Sequence, residues 1–279
     1  MALLEVQGVS KAFGGLIALD DCSLSVEEGE VAGLIGPNGS GKTTLFNVIT
    51  GYVRPDRGSV RLRGADITGA SPARVFGLGL GRTFQQARIF DRLSVLENML
   101  VATQRQEGWL RSVVKGQSSP KERARAGELL QFVGLERLAR LPAGNLSFGQ
   151  RKLLELAYVL VADPQIILLD EPAGGVNPTL INLIAARIRT LNDAGAGKTF
   201  LVVEHNMEFV MGLCDTVTVM HQGAAIVSGS PDMVREDPRV LDAYLGGSDD
   251  ELFEPEQPEP EPEGGAETRL GAVDGRSRT

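Results

Sequence analysis

The sequence predicts an α/β fold: a parallel sheet covered by helices and carrying a phosphate-binding loop, with an N-terminal antiparallel β-subdomain and an inserted α-helical subdomain. Three observations predict it. Short apolar runs at 31–35, 165–169, 199–203 and 216–220 are separated by helical patterns, which is the alternation of a parallel sheet. The first run ends in a glycine-rich loop that opens a helix, the setting in which a phosphate is held by backbone N–H groups. Residues 88–160, lying between the first two runs, read as mainly helical.

Taken in chain order, 3–9 and 22–26 roughly alternate apolar and polar residues, as half-buried antiparallel strands do. Residues 42–50 read as a helix with Gly51 at its C-terminal end. Ser94-Val-Leu-Glu97 and Ser119-Pro-Lys-Glu122 are capping-box patterns, and Pro120 suits a first helical position. Ser147 is placed to cap the pattern 150–161, and further helices start near Pro178 and Asn206. One domain over residues 1–247 is expected. From 248 onward the chain alternates proline with acid (Glu254-Pro-Glu-Gln-Pro-Glu-Pro-Glu-Pro-Glu263) and has little to bury, so 248–279 is expected to be a disordered acidic tail.

Composition narrows the function. The net charge is −8, but residues 249–279 contribute −7 of it through ten acids and three arginines. A body of charge −1 offers no basic face for nucleic acid, and none is expected as a partner. No apolar run approaches the ~18 residues of a membrane span, and 1–10 lacks a basic flank, so a soluble, intracellular chain is expected. Cys22 and Cys214 form no CxxC and read as buried free thiols.

Gly36, Pro37, Asn38, Gly39, Ser40, Gly41, Lys42 and Thr43 match GxxxxGK[ST], followed by Thr44. In this pattern the lysine reaches the β- and γ-phosphates and the hydroxyl of Thr43 ligates Mg²⁺. Ile166-Ile-Leu-Leu-Asp170-Glu171 sets two carboxylates at the end of an apolar strand, where open α/β sheets bind ligands. Adjacent buried acids need a nearby cation or a reacting water; Asp170 is expected to hold Mg²⁺ and Glu171 to polarise water.

Between these two motifs lies Leu146-Ser147-Phe148-Gly149-Gln150, which resembles the signature motif of the ATP-binding cassette (ABC) ATPases, and the resemblance runs from about Leu3 to Gly247. It implies a P-loop NTPase core binding ATP and Mg²⁺, with two cassettes closing head to tail. Ser147, Gly149 and Gln150 of one subunit would then meet the γ-phosphate held by the other. The resemblance also assigns Gln85 to the Q-loop, sensing phosphate and Mg²⁺, although the neighbouring Gln86 leaves that position open by one residue. His205 matches the switch histidine, Phe13 the adenine-stacking aromatic, and Asn177 the D-loop, where the family more often has Asp. His221 has no match.

Glu171-Pro-Ala-Gly-Gly-Val-Asn-Pro178, Val203-Glu-His-Asn-Met207, Val210-Met-Gly-Leu-Cys-Asp215 and Glu236-Asp-Pro-Arg-Val-Leu-Asp-Ala-Tyr-Leu-Gly246 resemble the branched-chain amino acid importers. Urea and amide importers and the lipopolysaccharide-export ATPase are similar alternatives. A non-transport ABC protein is the alternative of another class, but a DNA-repair ATPase would separate the motifs with a long coiled coil, and a translation factor would carry two cassettes. The resemblance implies a cytoplasmic protein lying on the inner face of the membrane. Its partners would be permease subunits, a second ATPase, itself or a sister chain, and indirectly a periplasmic or extracellular binding protein.

Overall fold

A computed structural model describes residues 2–83, 89–104, 118–193 and 197–245. The N-terminal strands β1 (Ala2–Phe13) and β2 (Leu16–Glu27) pair antiparallel, and β4 (Arg57–Leu62) and the short β5 (Ala65–Asp66) extend them into a sheet of order β2-β1-β4-β5. The strand β3 (Val31–Ile35) leads into helix α1 (Lys42–Ile49). Next come α2 (Pro72–Gly77) and β6 (Leu80–Arg82). The helical segment follows with α3 (Val95–Gln104), α4 (Pro120–Phe132) and α5 (Phe148–Leu160). Beyond it run β7 (Ile166–Asp170), α6 (Pro178–Asp193), β8 (Thr199–Val203), α7 (Met207–Leu213), β9 (Thr216–His221), β10 (Ala224–Gly229), α8 (Pro231–Glu236) and α9 (Pro238–Leu245).

The second sheet has the order β10-β9-β3-β8-β7-β6, parallel except for the β9–β10 hairpin. Its central strands are buried on both faces, which is why they read as continuous apolar runs. The two-residue period divides them between two cores. Ala32, Leu34, Ile166, Leu168, Leu201 and Val203 face the cluster shared with α1 and the antiparallel sheet. Val31, Ile35, Ile167, Leu169, Phe200 and Val202 face the cluster built by the helices.

Both capping boxes in the helical segment form: Ser94 with Glu97, and Ser119 with Glu122. Cys22 and Cys214 are free and buried, and burial pushes their thiols up to about 11 and about 12.

Some expectations needed adjustment. The strand expected at 165–169 occupies 166–170, which brings Asp170 inside the sheet. The strand β6 was not anticipated, because three residues with Gly81 at the centre carry no readable period. A Cβ at Gly81 would lie 2.6 Å from Val159 Cγ1, so a helix of the inserted segment packs straight onto the strand there. The β9–β10 hairpin turns on Gln222 and Gly223, both at positive φ, as a two-residue turn between twisted strands requires. The expected acidic tail lies outside the described residues.

Candidate nucleotide and hydrolysis site

The sheet register brings three of the predicted motifs to one edge. Val203 is paired with Leu34 on one side and with Asp170 on the other, so β3, β8 and β7 end level. The residues that follow are therefore neighbours: the glycine-rich loop after Ile35, Glu204 and His205 after Val203, and Glu171 after Asp170. Further bonds close the row, Glu171 N donating to Val203 O at 2.9 Å and Glu204 N to Leu34 O at 3.4 Å.

Gly36, Gly39 and Gly41 all have positive φ, the region that side chains resist. A Cβ at Gly36 would sit 2.2 Å from Met220 O, and one at Gly41 2.5 Å from Ala18 O, so the loop is wedged between β9 and β2. Ser40 is buried, whereas Asn38, Gly39 and Thr43 are exposed, with Pro37 and Thr44 between these extremes. Lys42 curls over the loop and donates to Gly36 O at 2.6 Å and Pro37 O at 2.9 Å. Burial pulls its ammonium below the usual lysine value, against the field of the Glu171 carboxylate, which holds it up. A cation half withdrawn from water and resting on carbonyls is poised for a stronger anionic partner.

Asp170 is 3% exposed and pairs with Arg82, whose Nη2 lies 2.9 Å from Oδ2. The same guanidinium donates to Asn47 Oδ1 at 2.7 Å and Thr50 Oγ1 at 3.0 Å, joining β6, β7 and α1. It also lies over the Phe46 and Tyr52 rings. Among the described residues the Asp170 Oδ1 atom makes no hydrogen bond. With the exposed Thr43 hydroxyl, that is a hard-oxygen donor set suited to Mg²⁺.

Glu171 has φ 48°, a left-handed conformation that costs a non-glycine residue on the order of 1–3 kcal/mol. Three bonds hold it there: its N–H donates to Val203 O, and its carbonyl accepts from Gly174 N at 3.3 Å and from Lys152 Nζ at 2.6 Å. Next to it, Glu204 is fully buried. Its Oε1 accepts from Ala173 N at 2.5 Å, and its Oε2 from His205 N at 3.1 Å and Asn206 N at 3.4 Å. Burial raises its carboxyl above the usual range in spite of these donors. The neighbouring His205 side chain is 64% exposed and its Nδ1 lies 3.9 Å from Glu204 Oε2.

The signature residues form a second group. Ser147 caps α5 through a complete capping box with Gln150, so the Gln150 carboxamide is engaged by the Ser147 N–H. A Cβ at Gly149 would meet Leu180 Cδ2 at 1.9 Å, so the glycine lets α5 approach α6. Phe148 is 54% exposed and its ring lies under the position of a Gly175 Cβ, 3.1 Å from Cε1. Asn177 caps α6, its Oδ1 accepting from Leu180 N at 3.0 Å. Phe13 is 49% exposed at the end of β1, with Lys11 Nζ 5.4 Å from its ring centre. Gln85 and Gln86 lie outside the described residues.

Three participants escaped the sequence reading: Arg82, Glu204 and Lys152. The first had a signal, since Asp170 in an apolar strand demands a buried cation. The second sits inside the quoted Val203-Glu-His-Asn-Met207 segment, where the histidine drew attention from the acid beside it. Lys152 had none; one basic residue on a helix reads as a solvated side chain.

Two family models match the chain: ABC transporter over residues 19–174, and branched-chain amino acid ATP-binding cassette transporter over residues 226–250. The chain is 38% identical over 250 residues to the high-affinity branched-chain amino acid transport ATP-binding protein BraF of Pseudomonas aeruginosa, covering 88% of this chain and 98% of that protein. It is 37% identical over the same length and coverage to LivG of Escherichia coli, which has the same description. Among solved structures it is similar to a nucleotide-free ATP-binding cassette from an ABC transporter, with TM-score 0.79, 37% identity, and coverage of 88% of this chain and 100% of that one. A dimeric cassette in a post-hydrolysis state, bound to ADP and Pi, matches with TM-score 0.71 and 26% identity over 82% and 98% of the two chains.

Proposed function

The chain belongs to the ABC transporter ATPase family, and from that premise we propose that it energises the import of branched-chain amino acids through the residues described above. The observation that carries this reading is the level ending of β3, β8 and β7, which brings the loop before Lys42, the Asp170-Glu171 pair and His205 to one edge of the sheet. ATP is the substrate. The loop 36–44 cradles its phosphates, Lys42 neutralises their charge, and Phe13 stacks on the base. Thr43 and Asp170 would hold Mg²⁺, which when bound offsets phosphate charge. Glu171 orients a water and takes its proton as the water oxygen bonds to the γ-phosphorus and the bond to the bridging oxygen breaks, leaving ADP and phosphate. His205 lies beside the same phosphate, and Gln85 is assigned to it by resemblance.

Ser147, Gly149 and Asn177 serve a second cassette, itself or a sister chain, in a head-to-tail dimer. The dimeric relative supports this arrangement. Permease subunits at the inner membrane face complete the transporter, and an extracellular or periplasmic binding protein supplies them. A groove lined by the exposed Tyr52, Phe76 and Phe90 supports that docking, since exposed aromatic surface of this kind marks a protein contact. The descriptions of BraF and LivG, and of the model over 226–250, support branched-chain amino acids as cargo.

The test is Glu171→Gln. Turnover should fall by about a hundredfold or more while ATP affinity stays within about threefold, because the carboxylate is lost and the cradle remains. Hydrolysis at the wild-type rate would refute the assignment. In cells lacking this gene, leucine uptake should return with the wild-type chain and not with Glu171→Gln; uptake that never depended on the gene would refute the cargo.

A further inference from the structure

Glu171 is a strained residue held by its main chain through Val203 O, Gly174 N and Lys152 Nζ, and the last of these, the one side-chain partner among them, comes from a different subdomain. The Lys152 ammonium, one turn into α5 from the Ser147 cap, donates to the Glu171 carbonyl at 2.6 Å. Charge-assisted bonds of this length are roughly twice as strong as neutral ones. The same ammonium lies 5.6 Å from the centre of the Phe148 ring. That ring in turn abuts Gly175, four residues after Glu171. Lys152, Thr83 and Asp170 also line one small cavity of about 20 Å³, room for a single water. The signature helix is thus fixed to the strand end that carries both carboxylates, through Lys152 on one side and Phe148 on the other.

We propose that Lys152 is a positioning residue which couples the signature helix to the carboxylate of Glu171 in the same chain. The inference rests on the reading of Glu171 as the group that activates water and of Ser147 as the residue that meets the partner's ATP. A shift of α5 when Ser147 engages a phosphate is passed by the ammonium to the Glu171 carbonyl. With φ at 48°, a small change there swings the carboxylate toward or away from Lys42. Occupation of one site then sets the poise of the other within one polypeptide, without any contact between the two nucleotides. Lysine suits the task because one flexible ammonium reaches the Glu171 carbonyl while staying within 5.6 Å of the Phe148 ring centre.

The experiment compares full-length Lys152→Met and Lys152→Arg with the wild-type chain, measuring ATP affinity by titration and turnover against ATP concentration. Methionine keeps the stem and loses the donor; arginine keeps the donor and the charge. In Lys152→Met, kcat should fall about tenfold, the worth of one charge-assisted hydrogen bond. KM and ATP affinity should stay within about twofold, and the Hill coefficient for ATP should drop toward one. Lys152→Arg should restore kcat to within about threefold and bring cooperativity back. Unchanged kcat in Lys152→Met would overturn the proposal. Equal losses of affinity and turnover, or a loss that Lys152→Arg shares, would overturn it too, since packing alone would then account for the effect. Glu171→Gln separates this from the parent reading: an inactive Glu171→Gln beside a fully active Lys152→Met rejects the coupling alone, whereas an active Glu171→Gln rejects both.

Discussion

Replacing Arg82 with leucine should destabilise this protein more than any other single change at the site. Its side chain is 9% exposed and Asp170 only 3%, so removing the cation strands a carboxylate inside the protein. Breaking one partner of such a pair costs about 3–5 kcal/mol. The bonds to Asn47 and Thr50 disappear as well, but Asn47 is only half-buried, and the buried Thr50 Oγ1 still donates to Phe46 O at 2.6 Å. For a domain of this size, each kcal/mol shifts the melting temperature by roughly 2–4 °C, so the expected drop is about 10 °C. The assay is thermal and urea unfolding of the nucleotide-free full chain, with Arg82→Leu, Asp170→Asn and the double variant measured together. The double variant should be more stable than the sum of the single losses by about 2 kcal/mol, because it leaves no unpaired charge. A loss below about 1 kcal/mol in Arg82→Leu, or simple additivity in the double variant, would refute the reasoning.

The other expectations are smaller in scope. Lys42→Ala should weaken ATP binding about tenfold or more, because the ammonium meets phosphate charge in the ground state, and a calorimetric titration with unchanged affinity would contradict it. Gly36→Ala should abolish nucleotide binding with the fold otherwise intact by circular dichroism, since its Cβ would collide with Met220 O; near-normal affinity would contradict that wedge. Glu204→Gln should destabilise by about 1–3 kcal/mol, because an amide nitrogen would face the N–H groups of His205 and Asn206. The wild-type carboxyl is raised on folding, so its stabilising contribution is fullest below 4.5 and is lost as pH rises through the folded value. The deficit of Glu204→Gln, read by urea unfolding, should therefore widen as pH falls from 7 toward 4.5, and a deficit that narrows would contradict the assignment.

The sequence disclosed what depends on local pattern and withheld what depends on tertiary approach. Apolar runs flanked by turn residues located β3, β7, β8 and β9, and Ser119, Pro120 and Glu122 announced the start of α4, because each signal lies within a few residues of its consequence. The strand β6 was hidden, since its place at the sheet edge comes from pairing with Ile166–Asp170 and from Val159 packing on Gly81. The packing need for glycine at 149 was hidden for a related reason: the neighbour that demands it, Leu180, is thirty-one residues away. Arg82, Glu204 and Lys152 act through partners between 19 and 88 residues distant, beyond any periodicity.

The Asp170-Glu171 pair shows how local pattern and tertiary constraint combine. Successive side chains on an extended strand point to opposite faces, so two adjacent acids at a strand end cannot both serve one site if the strand simply continues. Asp170 keeps the strand conformation and points to Arg82, at the β6 side. Glu171 leaves the strand at φ 48° and turns its carboxylate toward Lys42, where the two charges interact. The left-handed residue is what lets one dipeptide set one acid against Arg82 and turn the other toward Lys42. The Glu171 backbone is held in that geometry by Val203 O through the sheet, by Gly174 N through the turn and by Lys152 from the helix. A glycine at 171 would adopt the same backbone without strain, but it would remove the carboxylate whose field holds the Lys42 ammonium up against burial.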